Sequence, residues 1–369
     1  MERNATSVAA NFDRNETAAA PIQGYDVLTF VSTIKFAIGV TGVLGNLLVV
    51  VVILRYKKLF QQVKSIYIIN QSFIDGLVFA LLIQYVFVRR STVPHTLNIN
   101  DTFCKIWHSQ ILLWGLMMSS TYNLMAISIE RYLAIVHPMW HTVSFTKTKA
   151  NAMVVFIWLF GILFNSSFII PTSGIFRNKC FVAYFWPSRT AAAAVGMVQL
   201  VVNMIAPILV HCVCYVSILK LLRRRIVEVT PSCISGEETH TSVECGTEEG
   251  PAPSKSLTLP STHSSRGVSV MKPRQSTASS VPAALQDLND KAKRNVIKTL
   301  AIVTACYFIC WIPSKIYVIM YMLGKISVFG YVYQATVVLT FINCCINPFI
   351  YVAKYDAFKK GLAMLFRHC

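Results

Sequence analysis

The sequence has few charged side chains. Only 14% of its 369 residues are Asp, Glu, Lys or Arg, whereas soluble domains average roughly 25%. Apolar residues make up 54% of the chain, and the mean hydropathy is +0.54. A water-soluble fold could not hide this much apolar surface, so the composition excludes an ordinary soluble protein.

Separate apolar stretches account for this composition. Each is long enough to supply the roughly 20 residues that an α-helix needs to cross the core of a bilayer. They occupy residues 28–54, 65–88, 106–133, 152–172, 192–221, 296–322 and 326–353. The sequence therefore predicts an all-α membrane protein built as a bundle of seven transmembrane helices.

Polar segments divide the chain around these stretches. We expect a tail at residues 1–27, helices one to five at 28–225 and helices six and seven at 291–353. Residues 226–290 are rich in Ser, Thr, Pro, Gly and Glu, a composition that predicts a disordered loop. Apolar and basic residues alternate in 354–369, which predicts a short amphipathic eighth helix along the membrane surface.

Acidic side chains are scarcer than basic ones. The chain has 16 Asp and Glu against 34 Lys and Arg, which gives a net charge of +18. Of the 34, 23 lie in the segments that follow the first, third, fifth and seventh stretches or at the stretch ends that border these segments. The positive-inside rule therefore predicts an extracellular amino terminus. The basic inner face suits anionic membrane lipid, and we expect no nucleic-acid partner.

The outer side in this topology carries two of the eleven cysteines, Cys104 and Cys180. One disulfide between them is the economical pairing on an oxidising face; two free thiols are the alternative. Sequons on the same side predict glycosylation at Asn4, Asn15 and Asn100.

Three motifs stand at the ends or middles of the stretches. Glu130-Arg131-Tyr132 ends the third, and a charged pair at that depth is costly to place. Cys310-Trp311-Ile312-Pro313 lies in the sixth, and Asn347-Pro348-Phe349-Ile350-Tyr351 lies in the seventh. The prolines each remove a backbone donor and allow a kink, which can act as a hinge.

Together with Asn46, Trp158 and Pro207, these motifs resemble the rhodopsin-like (class A) G-protein-coupled receptors, closest in texture to peptide-receptor-like and orphan members. The resemblance implies a multi-pass plasma-membrane receptor and not an enzyme. Its partners would be an extracellular ligand, with a peptide favoured, a heterotrimeric G protein, arrestin and receptor kinases. A lipid or a small organic acid is the alternative ligand.

The resemblance also assigns roles to residues. The expected coupling and activation residues are Glu130, Arg131, Tyr132, Tyr215, Asn347, Pro348 and Tyr351. Trp311 and Pro313 would form the toggle and hinge. A membrane-edge Arg that only reaches toward the interface, and a Trp that only packs, are the alternatives.

Asp75 lies in the second stretch, where an isolated carboxylate costs about 2.5–3.5 kcal/mol. It needs partners, protonation or a cation. In the family, this carboxylate and its neighbours hold a sodium ion that favours the resting state. Carried over, the sodium-site residues are Asp75, Ser120, Asn343 and Asn347. A hydrogen-bonded polar core without an ion is the alternative, and no other cofactor is expected.

Residue types missing from the third and seventh stretches restrict the chemical class of the ligand. Residues 105–129 contain no Asp or Glu, and 326–353 contain no Lys. An amine ligand and a retinal Schiff base are therefore disfavoured. The expected ligand-binding residues are Gln110, Trp114, Met117, Trp311 and Lys315. The Lys315 ammonium could pair with a ligand carboxylate or extend to the interface, and the others could be packing alone.

The chain departs from the family at three places. From Cys104 to Arg131 is 27 residues, longer than usual, which leaves the register of the outer third helix open. Lys293 replaces an acid that often pairs with Arg131, so we expect raised basal signalling. Tyr307 replaces a Phe, and its hydroxyl needs a partner that the sequence does not identify.

Two other classes of protein deserve comparison. His137 and His141 have an H-x3-H spacing, as in metal-dependent lipid oxidases, but the remaining histidines form no second cluster to complete a metal site. A transporter would show paired half-repeats and interrupted helices, and the sequence shows neither.

Overall fold

The structure is a computed structural model that describes residues 21–60, 63–90, 101–176, 179–229, 302–320, 325–326 and 331–367. Its main helices are α1 (Pro21–Arg55), α2 (Lys64–Arg90), α3 (Ile111–Val136), α4 (Lys147–Thr172), α5, α6 (Ile302–Met320), α7 (Tyr331–Lys354) and α8 (Asp356–Arg367). Helix α5 consists of Arg189–Leu200, a π-helical turn Val201–Ile205 and Ala206–Val229.

Shorter elements connect these helices. They are the 3-10 turn Lys57–Phe60, the helical turn Asp101–Phe103 with the π-helical turn Cys104–His108, the helix Pro138–Ser144, and the strands β1 (Gly174–Phe176) and β2 (Lys179–Phe181). The two strands pair antiparallel, with Ile175 opposite Cys180.

Within the described ranges, seven helices are long and apolar enough to cross a membrane. They are Thr29–Arg55, Lys64–Phe87, Asp101–Val136, Lys147–Thr172, Thr190–Leu221, Ile302–Met320 and Val332–Ala353. The all-α membrane fold with seven spans is thus confirmed. The predicted glycosylation sites Asn4, Asn15 and Asn100, and Lys293 with most of the predicted loop, lie outside the described residues.

Two predicted segment boundaries differ from the helix ends. Helix α1 begins at Pro21, inside the segment predicted as tail, and α5 continues to Val229, inside the segment predicted as loop. Hydropathy marks where a chain is apolar and not where a helix ends. Leu222 and the arginines that follow the fifth stretch are good helix formers, and Pro21 suits the first position of a helix. The helices therefore extend beyond the apolar stretches.

Helix α3 is at the centre of the bundle. It packs against α2, α4 and α5, and 78% of its apolar window is buried against 11% for α4 and for α5. The largest core cluster joins α2, α3, α6 and α7 through residues such as Phe79, Met117, Trp311 and Phe341. Side chains on these four helices therefore meet in the middle of the bundle.

A disulfide joins Cys104 to Cys180, with their Cα atoms 5.6 Å apart, which confirms the predicted pairing. It ties the π-helical turn before α3 to strand β2. We call this end of the bundle the disulfide end, and the opposite end of α3, where Glu130 and Arg131 lie, the Arg131 end.

The long spacing between Cys104 and Arg131 has a structural counterpart. The segment before α3 is a π-helical turn, and Gln110 adopts a left-handed conformation with φ of 56°. Gln110 is a non-glycine residue in a sparsely populated region. The additional residues are accommodated before the regular helix, so Trp114 and Met117 keep their helical register with Arg131.

Helix α8 packs one face on the bundle. Phe358 is fully buried in a cluster with Val49, Val52 and Ile53 of α1, while Lys359 and Lys360 are exposed. The segment is helical, and its position along a membrane surface stays a prediction.

Candidate functional site

A buried polar cluster surrounds Asp75 in the middle of the bundle. The carboxylate is fully buried. Its Oδ1 accepts a hydrogen bond from Ser120 Oγ at 2.7 Å, and its Oδ2 accepts from Gln71 Nε2 at 3.0 Å and from Asn347 Nδ2 at 2.9 Å. These donors offset the cost of removing the charge from water. Helices α2, α3 and α7 thus meet at one carboxylate.

Gln71, which was not among the residues predicted from the sequence, bridges this cluster. Its Nε2 also donates to Ser120 Oγ at 2.5 Å, and its Oε1 accepts from Asn123 Nδ2 at 2.8 Å. A signal was present, because a polar residue inside a membrane helix must find a partner and Gln71 precedes Asp75 by one helical turn.

The cluster continues to α4 through two asparagines. Asn70 Nδ2 donates to Asn123 Oδ1 at 2.8 Å, and Trp158 Nε1 donates to Asn70 Oδ1 at 2.9 Å. A chain of buried hydrogen bonds therefore runs from α4 through α2 and α3 to α7. Networks of this kind specify helix positions because each broken bond leaves a buried group unsatisfied.

The predicted sodium residues are partly brought together. Asp75, Ser120 and Asn347 are in direct contact. The Oδ1 atoms of Asn343 and Asn347 are buried without a hydrogen-bond donor among the described residues. A carboxylate, a hydroxyl and spare amide oxygens are suitable ligands for a hard cation, so the residues fit Na⁺. The Gln71 amide nitrogen contacts two of these oxygens and would compete with it.

The predicted ligand residues lie toward the disulfide end. Trp311, which is 5% exposed, packs with Met117 and the half-buried Trp114 in the main core cluster. Lys315 Nζ lies 4.7 Å from the centroid of the Trp311 ring. Gln110 is one turn before Trp114, where its carbonyl accepts from the Trp114 N–H at 3.0 Å.

Tyr307 has the partner that the sequence did not identify. Its hydroxyl donates to the Asn203 carbonyl at 2.8 Å, within the π-helical turn of α5. On the other side of that turn, the Tyr122 hydroxyl donates to the Val202 carbonyl at 3.0 Å. Pro207 cannot donate to the carbonyl four residues earlier, and Tyr307 supplies the missing hydrogen bond.

The Arg131 end holds a charged cluster. Arg131 Nε lies 2.7 Å from Glu130 Oε2, and the Glu130 side chain is 4% exposed. His141 Nε2, on the helix Pro138–Ser144, lies 3.2 Å from Glu130 Oε1. The His141 ring stacks on Phe145 with centroids 5.2 Å apart. A second group therefore holds the carboxylate that pairs with Arg131.

These contacts change the interpretation of the H-x3-H spacing. His137 Nε2 lies 3.3 Å from the Tyr132 hydroxyl and His141 contacts Glu130. Across the described ranges, no group of three or more metal-ligating side chains comes together.

The two predicted activation tyrosines lie in different surroundings. The Tyr215 hydroxyl on α5 is buried without a hydrogen-bond partner among the described residues. Tyr351 on α7 is buried among apolar residues of α1, α2 and α8. Pro348, three residues earlier, lies inside α7 and packs near Gly45, where an added Cβ would come 3.3 Å from the ring.

Comparisons with known proteins agree with this arrangement. A family model described as 7 transmembrane receptor (rhodopsin family) matches residues 45–351. The "Cholecystokinin receptor" of Xenopus laevis is 24% identical over 89% of this chain and 74% of its own length. "C-C chemokine receptor type 1" of Macaca fascicularis is 32% identical over 50% of this chain and 52% of its own. "Trace amine-associated receptor 8a" of Rattus norvegicus is 24% identical over 88% and 83%.

Proposed function

The chain belongs to the rhodopsin family of seven-transmembrane receptors, which are receptors rather than enzymes, and we propose that it activates a heterotrimeric G protein when an extracellular ligand binds at the disulfide end. The matched residues include all the motif residues on α1 to α7. The seven apolar helices make it a multi-pass membrane protein.

The observation that carries the proposal is the Glu130–Arg131 ion pair at one end of the central helix. A planar guanidinium paired with a neighbouring carboxylate can exchange that partner for other acceptors. His141 holds the carboxylate in place. Release of this cluster would free Arg131 for a docking protein, and a ligand that prefers the released state would shift the population toward it.

A peptide is the ligand that we favour. The names of two relatives, a cholecystokinin receptor and a chemokine receptor, support it, and residues 105–129 offer no acid to pair with an amine. A lipid or a small organic acid is the second candidate, and the basic Lys315 above Trp311 favours it.

Sodium is proposed as an allosteric cation. Asp75, Ser120, Asn343 and Asn347 would hold it, since their oxygen atoms form a suitable set. Bound there, the ion would supply positive charge to a buried carboxylate. The contacts between Asp75 and three helices would then depend on whether the ion or the Gln71 amide fills the space.

The proposed orientation in the membrane rests on the distribution of Lys and Arg along the chain. With 23 of 34 basic residues on the Arg131 side, the positive-inside rule supports an extracellular amino terminus and a plasma-membrane receptor. Glycosylation at Asn4, Asn15 and Asn100 is proposed on the same basis. Arrestin and receptor kinases are proposed as further cytoplasmic partners.

A cell-based panel of G-protein activation tests the function. The receptor is assayed without ligand, then with pooled peptides and pooled carboxylic acids. Arg131→Ala should abolish coupling while surface expression stays largely intact. Arg55→Ala, at the end of α1 on the same side, is the matched control and should couple normally. Unchanged coupling by Arg131→Ala would contradict the proposal.

A further inference from the structure

Two hydrogen-bond donors on α6 point to a ligand acceptor. Lys315 follows Trp311 by one helical turn, so the two side chains share a face. The ammonium lies over the indole ring at 4.7 Å from its centroid, a cation–π contact. The Trp311 Nε1–H is buried and has no acceptor among the described residues.

Three carboxylates whose side chains the structure describes are engaged elsewhere. Asp101 pairs with Lys105 at 2.6 Å, Glu130 pairs with Arg131, and Asp75 accepts three hydrogen bonds. None of these three carboxylates neutralises Lys315, which is half-buried. An unpaired ammonium and an unpaired buried N–H are both costly, and one acceptor with negative charge would satisfy both.

The surroundings of these donors are apolar. Trp311 lies in a cluster with Leu113, Met117 and Phe341, against which Trp114 and Tyr333 pack. A ligand group that reaches the two donors therefore needs an apolar or aromatic body beside its charge.

We propose that Lys315 and the Trp311 N–H bind a carboxylate of the ligand, carried on an apolar or aromatic group. This deepens the proposed function and rests on it, because it assumes a ligand that enters from the disulfide end. The carboxylate is the shared chemistry of a peptide with a free acid and of a small organic acid. Because Lys315 contacts the Trp311 ring, a ligand carboxylate bound to Lys315 would also affect the proposed toggle residue.

The first test measures acid binding by the purified full-length receptor. The probes are 3-phenylpropionate against 3-phenylpropionamide, and acetyl-Leu-Phe free acid against its C-terminal amide. Each probe is titrated while the thermal unfolding midpoint is recorded. We expect the acids to raise the midpoint at concentrations about tenfold lower than the amides, because a charge-assisted hydrogen bond is stronger than a neutral one. The pair that responds distinguishes a small acid from a peptide.

Substitutions assign this response to Lys315. Lys315→Met should remove the preference for acid over amide, and Lys315→Arg should retain it. Lys325→Met, at an exposed lysine near the same end of α6, is the matched control and should keep the preference. Equal responses to acid and amide in the unaltered receptor, no response to either pair, or an acid preference that survives Lys315→Met would each overturn the proposal.

A second test needs no ligand. If Lys315 is unpaired in the free receptor, Lys315→Met should raise the unfolding midpoint, because it removes an unmatched charge and keeps the side-chain length. A lower midpoint would mean that the Lys315 ammonium is already satisfied in the free receptor, by an acid of this chain or by the Trp311 ring alone, and would overturn the proposal. Both readouts are independent of G-protein coupling, so a receptor that binds acid without coupling would refute the proposed function alone.

Discussion

The Tyr307 hydroxyl on α6 donates a hydrogen bond to the Asn203 carbonyl on α5. The acceptor is the carbonyl that Pro207 leaves without a donor, so a helix irregularity in α5 is satisfied by a side chain of α6. Trp311, one turn further along α6, lies with its ring centroid 5.9 Å from that of Tyr307. The toggle residue and the α5–α6 contact are therefore adjacent.

Tyr307→Phe should weaken this contact. The substitution keeps the ring but leaves a buried carbonyl without a donor, which costs about 1–3 kcal/mol. We expect a lower thermal unfolding midpoint and raised ligand-independent coupling, because α6 would move more freely. Tyr85→Phe on α2 is the control. An unchanged midpoint would show that water replaces the hydroxyl without loss.

Gln71→Leu tests competition between an amide and a cation at Asp75. The variant loses the bonds to Asp75, Ser120 and Asn123, so we expect stability to fall by about 2 kcal/mol or more in sodium-free buffer. Sodium chloride should restore part of it, relative to N-methylglucamine chloride at equal ionic strength. Asp75→Asn in the same background should remove the sodium effect. A variant indifferent to sodium would contradict the cation site.

Cys104→Ser and Cys180→Ser test the disulfide. Each should lower stability by about 2–5 kcal/mol, and the double variant should resemble either single one because both remove the same bond. Cys212→Ser, at an exposed free cysteine, should have little effect. Additive losses in the double variant would show that the two thiols act separately.

Lys293→Glu tests the expected basal activity. An acid at this position would attract Arg131 and hold the inner ends of the third and sixth helices together. Ligand-independent coupling should fall about two- to fivefold, the effect of an ion pair worth 0.5–1 kcal/mol. Lys298→Glu is the control for the change in charge. Equal basal coupling in Lys293→Glu and the unaltered receptor would refute this expectation.

The sequence predicted the spans, the disulfide and part of the polar cluster because each depends on local chemistry. Apolar length decides a span, and Asp75 had to find partners once it lay in one. The contacts of Gln71 could not be predicted, since an amide can bond in several directions and the packing of α2 on α3 decides which. The partner of Tyr307 could not be predicted either, because Asn203, whose carbonyl Pro207 leaves without its usual donor, is 104 residues away and only packing brings the two together.

The contact of His141 with Glu130 could not be predicted for a similar reason. The spacing of His141 from His137 resembled a metal motif, while its contact with Glu130 depends on how the helix Pro138–Ser144 folds back on α3. The left-handed conformation of Gln110 could not be predicted either. The long spacing from Cys104 to Arg131 shows that extra residues exist but not where they depart from the regular helix.

Nucleotide exchange on a purified heterotrimeric G protein by the purified receptor tests the central claim most directly. We predict opposite effects for substitutions of two neighbouring residues. Glu130→Gln should raise ligand-independent exchange, because Arg131 loses its partner. Arg131→Ala should abolish exchange, whether or not Glu130 is also substituted. If both substitutions change exchange in the same direction, or if neither changes it, the Glu130–Arg131 pair is not a switch.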